Sequence, residues 1–506
     1  MRRALVSVYD KSGVVGFSRG LAELGFEIIS TGGTARALRD AGCPVLEVSQ
    51  VTGFPEILGG RVKTLHPRVH GAILGLREDP GQAREMEAHS LVPIDLVCVN
   101  LYPFREVLLK GGSHQEIVEN IDIGGPSMLR SAAKNYRHVA VLVNPARYGQ
   151  VLGMLGEGDI PLDYRHELAW EAFKHTSAYD ALIASYFSQG AMEFPDRLAP
   201  YYEKVMDLRY GENPHQKAAL YGLGIRRGPS VIDARQLQGK ELSYNNIADA
   251  DAALGLAREF DAPVAVAVKH QNPCGVGLGS SPLEAYRKAH DADPVSIFGG
   301  IVALNREVDE GTAREMSKVF LEVVLAPSFS DEAARVFSTK KDVRLLETGD
   351  MGRPSPGLEL RSVAGGLLVQ ESDLLGDAGE WRVVTDRAPT EDEMENLRFA
   401  WAVSKHVKSN AMVAAGGLGT VGIGAGQMSR IEATRIALRQ AGERARGAVM
   451  ASDAFLPFPD VVEEAARSGI RALVQPGGSV KDPESIKAAS RAGMAMVFTG
   501  RRHFRH

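Results

Sequence analysis

Lys269 and His270 follow directly on five small apolar residues, Val264-Ala265-Val266-Ala267-Val268, which read as a buried strand. An ammonium beside an imidazole can polarise one group while moving a proton on another. Asn272-Pro273 and Gly275 predict a turn just after the strand. Ligands of open α/β sheets sit beyond the carboxyl ends of strands. The pair therefore reads either as catalytic or as two solvated side chains at a strand end. A second cluster is Arg61-Val62-Lys63-Thr64-Leu65-His66-Pro67-Arg68-Val69-His70-Gly71. Its cations and imidazoles interleave with apolar residues at neither helical nor strand spacing, which suits a phosphate or another oxyanion. A third is Ser30-Thr31-Gly32-Gly33-Thr34, a strand end, Gly-rich turn and helix start. Backbone N–H groups at such a helix start can cradle a phosphate. The Ser30, Thr31 and Thr34 hydroxyls can add bonds, and Lys11 at the end of the neighbouring strand can add charge. The same five residues also fit a capped helix behind a glycine turn.

The elements that must position these groups read as alternating strands and helices. Strands are expected at 4–8 and 26–29, helices at 14–24 and 35–41, and a further strand at Asp95-Leu96-Val97-Cys98-Val99, leading into Asn100-Leu101-Tyr102-Pro103-Phe104. Asn120 to Ser127 ends one helix and opens another, which carries Arg130 and Lys134 on one face. Asp122 at that helix start can be a cap, and the two bases can simply be solvated. Trp170 to Phe187 has helical spacing and closes a first domain, with a linker over Met192–Tyr201. Domains are placed at 1–193 and 200–506, the second divided near 380 into 200–380 and 381–506. A strand, a Lys with a nearby Asn and a Gly-rich continuation at 264–279 recur at 405–426. Each is followed by an expected helix, 283–290 and 430–439, which hints at a duplication.

At 506 residues the chain is too long for one core. A net charge of -5 provides no basic footprint for nucleic acid. Cys43, Cys98 and Cys274 form no C-x-x-C pair, so a zinc knuckle or disulfide scaffold is not expected. Cys274 reads as a small turn residue rather than a nucleophile. Neither a signal peptide nor a membrane span is expected, and a cytoplasmic location follows as the default. No G-x-x-x-x-G-K-[ST] occurs, and Gly422-Ile423-Gly424-Ala425-Gly426-Gln427 does not complete G-x-G-x-x-G.

Taken in order, Ser7-Val8-Tyr9-Asp10-Lys11, the 30–34 turn, the 61–71 run, Asn100 to Phe104 and Ile121-Asp122-Ile123-Gly124-Gly125 resemble the IMP cyclohydrolase half of the AICAR transformylase/IMP cyclohydrolase family. Leu208 to Gln216, Gly239 to Asp249, Lys269 to Gly275, Ser296 to Gly300, Lys408-Ser409-Asn410, Gly424 to Arg430, Ser452 to Phe458 and Arg502 to His506 resemble its transformylase half. The resemblance implies an α/β chain: an N-terminal methylglyoxal-synthase-like domain, then a C-terminal domain of two cytidine-deaminase-like α/β subdomains. The deaminase zinc is expected absent, since H-x-E with P-C-x-x-C is missing. It implies formyl transfer from 10-formyltetrahydrofolate, a co-substrate, to AICAR, giving FAICAR, and then dehydrative closure to IMP. No metal is required, and the implied state is a homodimer, away from nucleic acid and membrane.

By the same resemblance His270 moves the proton and Lys269 stabilises the oxyanion or the leaving group. Asn410 holds the formyl or carboxamide oxygen, and His506 orients His270 or the substrate. Arg209, Tyr210, His215, Asn246, Glu322, Arg502 and Phe504 contact AICAR, while Phe298, Arg430, Ile431 and Phe458 line the folate pocket. In the first domain Lys63, Tyr102, Asp122 and Lys134 handle the proton and developing alkoxide. Ser7, Lys11, Ser30, Gly33, Thr34, Arg61 and Thr64 bind substrate there. Ile297 and Pro459 depart from the pattern beside the expected folate contacts. The alternative reading is a nucleotide-phosphate-binding protein that retains only one of the two activities.

Overall fold

The structure, a computed structural model, describes every residue except 1, 189–193, 226–227, 354–355 and 375–380. The start of the expected linker at Met192, and Gly376 and Gly379 at the expected subdomain break, lie outside the described residues. Two compact units result: Met1–Tyr202 with Leu223–Ile225, and Glu203–Gly222 with Arg226–His506.

The first unit is a five-stranded, wholly parallel sheet in the spatial order Leu46–Glu47, Phe26–Ser30, Arg2–Ser7, Leu96–Val99, Ala140–Leu142. Helices cover both faces, which is why the central strands are apolar throughout rather than alternating. The chain steps outward from Arg2–Ser7 first to one side and then to the other. That reversal puts the switch point between Arg2–Ser7 and Leu96–Val99, and the crevice at their carboxyl ends. Two expectations shift. The helix read at 35–41 spans Gly32–Asp40, so both glycines belong to its first turn and expose their backbone to the crevice. The 61–71 run is irregular only as far as His66. Pro67–Leu74 is a helix with Pro at its first position, and His66 Nδ1 accepts from Arg68 N at 3.1 Å as its cap.

The second unit is built on a twelve-stranded sheet. Its elements run through one order twice. An edge strand, a helix, an antiparallel hairpin and a helix are followed by three strands separated by two helices. The first pass uses Arg235–Gln238, Tyr244–Ala257, Val264–Lys269 with Asn272–Leu278, Pro282–Ala292, Gly300–Leu304, Leu321–Ala326 and Arg344–Glu347. The second uses Arg382–Val383, Glu391–Ser404, Met412–Gly416 with Gly419–Gly424, Arg430–Ala441, Val449–Ser452, Ala472–Gln475 and Ala495–Phe498. The halves join antiparallel where Asn272–Leu278 meets Gly419–Gly424. The repeat therefore aligns the turn after Lys269 with the turn at Gly417-Leu418. The sequence reading had instead matched it with 405–410, where similar polar residues recur without structural equivalence.

The glycines of both returning strands have one packing reason. A Cβ on Gly277 would lie 2.5 Å from the Ala285 carbonyl oxygen, and one on Gly424 would run into that of Ala433. In each half the helix lies directly on the strand backbone. Gly424→Ala is expected to cost about 1–3 kcal/mol by overpacking, read as a lower urea midpoint. An unchanged midpoint would mean the helix can back away freely.

Candidate active sites

In the first unit, Asn100 closes the crevice. Its Oδ1 accepts from Tyr9 N at 2.6 Å and Asp10 N at 3.0 Å, and its Nδ2 donates to Asp10 O at 3.0 Å. This brings the loop carrying Lys11 beside the loop carrying Tyr102, and the Tyr9 and Tyr102 rings stand edge-on at 6.4 Å. Two amines reach the Gly32-Gly33 helix start. Lys63 Nζ lies 3.1 Å from where a Cβ on Gly32 would be, and Lys11 Nζ 3.8 Å from that of Gly33. Unpaired N–H groups and the helix dipole favour an anion at that point. Glu56 pairs with Lys63 at 3.2 Å and was not singled out by the sequence reading.

The hydroxyls divide into two kinds. Ser30 is fully buried and donates to Val6 O at 2.6 Å. Thr34 Oγ1 accepts from Val8 N and donates to Val8 O. Both lock the turn from beneath. Ser7 Oγ and Thr31 Oγ1 bond each other at 3.0 Å. Thr64 Oγ1 lies 2.7 Å from the Cβ position of Gly124, so the Lys63 loop meets a second helix start. Asp122 Oδ1 accepts from Gly125 N at 2.8 Å there. Burial raises the Asp122 carboxyl above its ordinary value, against the Gly125 and Tyr102 backbone N–H groups. Arg61 is exposed and paired with Glu119 at 2.9 Å. Lys134 ends the helix that starts at Gly124, about 15 Å away at 1.5 Å per residue. With Arg130, Trp170 and Phe173 it lines a separate cavity of about 690 Å³. Within this chain the structure gathers Lys11, Lys63, Thr64, Tyr102 and Asp122, and leaves Lys134 outside.

In the second unit the turn is made by His270 and Gln271, with φ of 56° and 62°, not by Asn272-Pro273. Lys269 pairs with Asn272 across it, and Pro273, second in the returning strand, lies next to a bulge. Two positive φ values are the pattern of a type I′ hairpin, which favours Asn and Gly and strains other residues. Asp249 compensates: its carboxylate accepts from His270 N at 3.1 Å and Gln271 N at 2.7 Å. The Val264–Lys269 strand is also antiparallel to Gly300–Leu304, so His270 lies at the amino ends of the parallel strands of its half. Lys269 and His270 thus stand at the carboxyl end of their own strand and beside the amino ends of the parallel strands next to it.

Asn272 joins the turn to the next loop. Its Nδ2 donates to His270 O at 3.2 Å and its Oδ1 accepts from Lys408 N at 3.0 Å. Asn410 thereby comes to the His270 side. Its Nδ2 donates to Gln427 O and its Oδ1 accepts from Arg430 Nη2, both at 2.7 Å. Arg430 is buried, and its guanidinium also bonds Ser452 Oγ at 2.9 Å and the fully buried Asp453 carboxylate. Asp453 in turn accepts from Ser409 Oγ and from Ala411 N. The C-terminal segment arrives at the same loop, where Ser409 N donates to Arg505 O at 2.8 Å.

The chain matches the family described as AICARFT/IMPCHase bienzyme over residues 132–440, and the MGS-like domain over residues 13–127. The "Bifunctional purine biosynthesis protein PurH" of Halalkalibacterium halodurans is 54% identical over 509 residues, covering 100% of both chains. This chain belongs to the AICARFT/IMPCHase bienzyme family. Proteins of the same name from Bacillus cereus strain AH820 and Bacillus thuringiensis strain Al Hakam are 53% identical, again over 100% of both chains. The MGS-like match falls within the first unit, and both units are mixed α/β.

Other residues that the bienzyme resemblance singled out lie where side chains and backbone hold them for different reasons. Arg209 stacks on Tyr210 at 5.3 Å, in the exposed loop that includes His215. Asn246 is buried, and its Oδ1 accepts from Ser243 N at 3.1 Å in a capping box. Glu322 pairs with Arg344 at 2.7 Å. Phe298 is exposed and tilts against Phe320 at 5.6 Å, and Lys269 Nζ donates to Phe298 O at 2.7 Å. Phe458 is exposed and Ile431 partly buried. Arg502 stacks on Phe504 at 4.6 Å, and Phe504 stands edge-on to His506 at 5.6 Å. Ile297 is fully buried among apolar side chains, so it packs the core and does not alter a pocket wall. Asp249, Asn272 and Asp453 carry no role from sequence, although each lies in a stretch that carries the family resemblance.

Proposed function

We propose that this chain carries out the last two steps of IMP synthesis, formyl transfer from 10-formyltetrahydrofolate to AICAR and ring closure of FAICAR. The carrying observation is the end-to-end match to bifunctional relatives at 54% identity. In the second unit, the AICAR amine attacks the formyl carbon while His270 takes its proton. The bond from that carbon to the folate nitrogen then breaks, and the nitrogen is reprotonated. Asp249 holds the backbone of the turn, and Asn272 ties that turn to the loop that leads to Asn410. Since Arg430 fixes the Asn410 amide by its oxygen, one Asn410 N–H stays free to donate to the formyl or carboxamide oxygen. Lys269 supplies positive charge for the oxyanion. Arg430 acts through Asn410 rather than as an apolar wall for the pterin, and Phe298 and Phe458 offer flat surfaces for it.

In the first unit, the carboxamide nitrogen attacks the formyl carbon of FAICAR and water leaves. Holding the two groups in contact removes much of that barrier. Lys11 and the Gly32-Gly33 helix start hold the phosphate. Lys63, Tyr102 and Asp122 move the proton, and burial, which raises the Asp122 carboxyl above its ordinary value, makes it the readier of the carboxylates there to hold one. The active form is a homodimer in the cytoplasm acting on small molecules only, its C-terminal half a pair of cytidine-deaminase-like subdomains, with no metal in either step. Lys63→Ala is expected to slow FAICAR cyclisation about 100-fold or more and leave formyl transfer near wild type. The rates are followed by absorbance on supplied FAICAR and on AICAR with 10-formyltetrahydrofolate. Loss of both activities together would show that the two sites are not separate.

A further inference from the structure

Behind the Asn410 loop lies a buried ionic cluster for which the proposed reaction has no task. Lys405 Nζ donates to Glu259 Oε1 at 2.6 Å, and His406 Nε2 lies 2.9 Å from the same oxygen. The side chains of Lys405, His406 and Glu259 are only 6%, 9% and 6% exposed. On the other side of the ring, Arg505 Nη1 stands 3.2 Å from His406 Nδ1. A guanidinium can only donate, and an ionised carboxylate can only accept. Nδ1 therefore accepts from Arg505, Nε2–H donates to Glu259, and the ring is neutral.

The charged groups facing His406 come from three elements. Glu259 lies just past the helix Tyr244–Ala257, Lys405 caps the helix Glu391–Ser404, and Arg505 belongs to the C-terminal segment. Burial is the largest influence and pushes the imidazole below its ordinary 6.5; Glu259 opposes this, while Arg505 and Lys405 reinforce it. Burial would raise Glu259, but its bonds to His406 and Lys405 outweigh that and hold it low. Asp251, itself raised by burial, also faces Arg505. Arg505 thus binds twice, by its backbone to Ser409 and by its side chain to His406.

We propose that Glu259 and His406 are positioning residues for formyl transfer, latching the 502–506 segment against the Asn410 loop, and that protonation of His406 opens the latch. This rests on the second unit being the transformylase. The sign follows from the shift. Protonation at Nδ1 would remove the acceptor and set a second cation against the Arg505 guanidinium, so docking favours the neutral ring and adds to the burial that holds it below its ordinary value. Docking is therefore complete above about pH 6.5 and weakens as the pH falls below it.

The test is hydrogen exchange of the C-terminal peptide in the full chain, at about pH 7.5 and about pH 5.5 and corrected for intrinsic rates. The wild type is expected to lose protection about tenfold on acidification, the effect of one charge-assisted hydrogen bond. His406→Gln keeps a donor for Glu259 but cannot be protonated, and should lose its pH dependence. Arg505→Met should leave the segment unprotected at both pH values and lower formyl transfer, with FAICAR cyclisation unchanged. Equal wild-type protection at both pH values, or the same acid loss in His406→Gln, would overturn the latch. If His406→Gln does not fold, full protection in Arg505→Met would overturn it equally. A chain with the pH-dependent protection but no formyl transfer at any pH would instead refute the transformylase reading and leave the latch standing.

Discussion

Replacing His270 with alanine is expected to lower formyl transfer by about 100- to 10,000-fold, the usual contribution of a positioned acid–base group, while FAICAR cyclisation continues at the wild-type rate. The AICAR amine is a poor nucleophile, so the proton must leave as the new bond forms. The turn itself should survive the change, because Asp249 grips the backbone N–H groups of residues 270 and 271 and not the imidazole. The loss should therefore fall on kcat, with little change in the urea midpoint. Steady-state rates for both half-reactions decide the matter. A variant retaining more than about a tenth of wild-type formyl transfer would remove His270 from the chemistry.

Arg430→Met should be the most damaging change to stability. It leaves the Asp453 carboxylate, fully buried, without its cation, and breaking a buried pair from one side costs about 3–5 kcal/mol. The same change frees the Asn410 amide to turn, so formyl transfer should fall even where the chain remains folded. Urea unfolding and the transfer rate measured on one preparation separate the two effects. A midpoint close to wild type would show that Ser409 and Ala411 alone suffice to hold Asp453.

The parts of the fold that were legible in the sequence are those fixed by local pattern. The run Val264 to Val268 read as a buried strand and is one, and glycines between a strand and a helix marked the helix start that the Lys11 and Lys63 amines reach. What escaped depended on partners distant in the chain. Nothing about His-Gln announces a turn with two positive φ angles; that conformation is enforced by Asp249, on a helix 21 residues earlier. Arg430 looked like a pocket lining because its partner, Asp453, lies 23 residues further on. Lys134 and Arg130 do share a helix face, but the spacing could not say that this face ends far from Gly124. The duplication was misaligned because Gly417-Leu418 and His270-Gln271 share a backbone shape and no chemistry.

The antiparallel seam between Asn272–Leu278 and Gly419–Gly424 puts the tip of one hairpin and the start of the other on a common sheet edge. The proposed transformylase centre is thus composite, with imidazole and ammonium lent by the first half and the carboxamide and terminal segment by the second. Severed at the seam, neither piece would retain a working centre. The mirrored tip at Gly417-Leu418 bears no ionisable group and lies on the opposite rim, so the second unit has two architectural copies, and the proposed formyl transfer draws on the tip of only one.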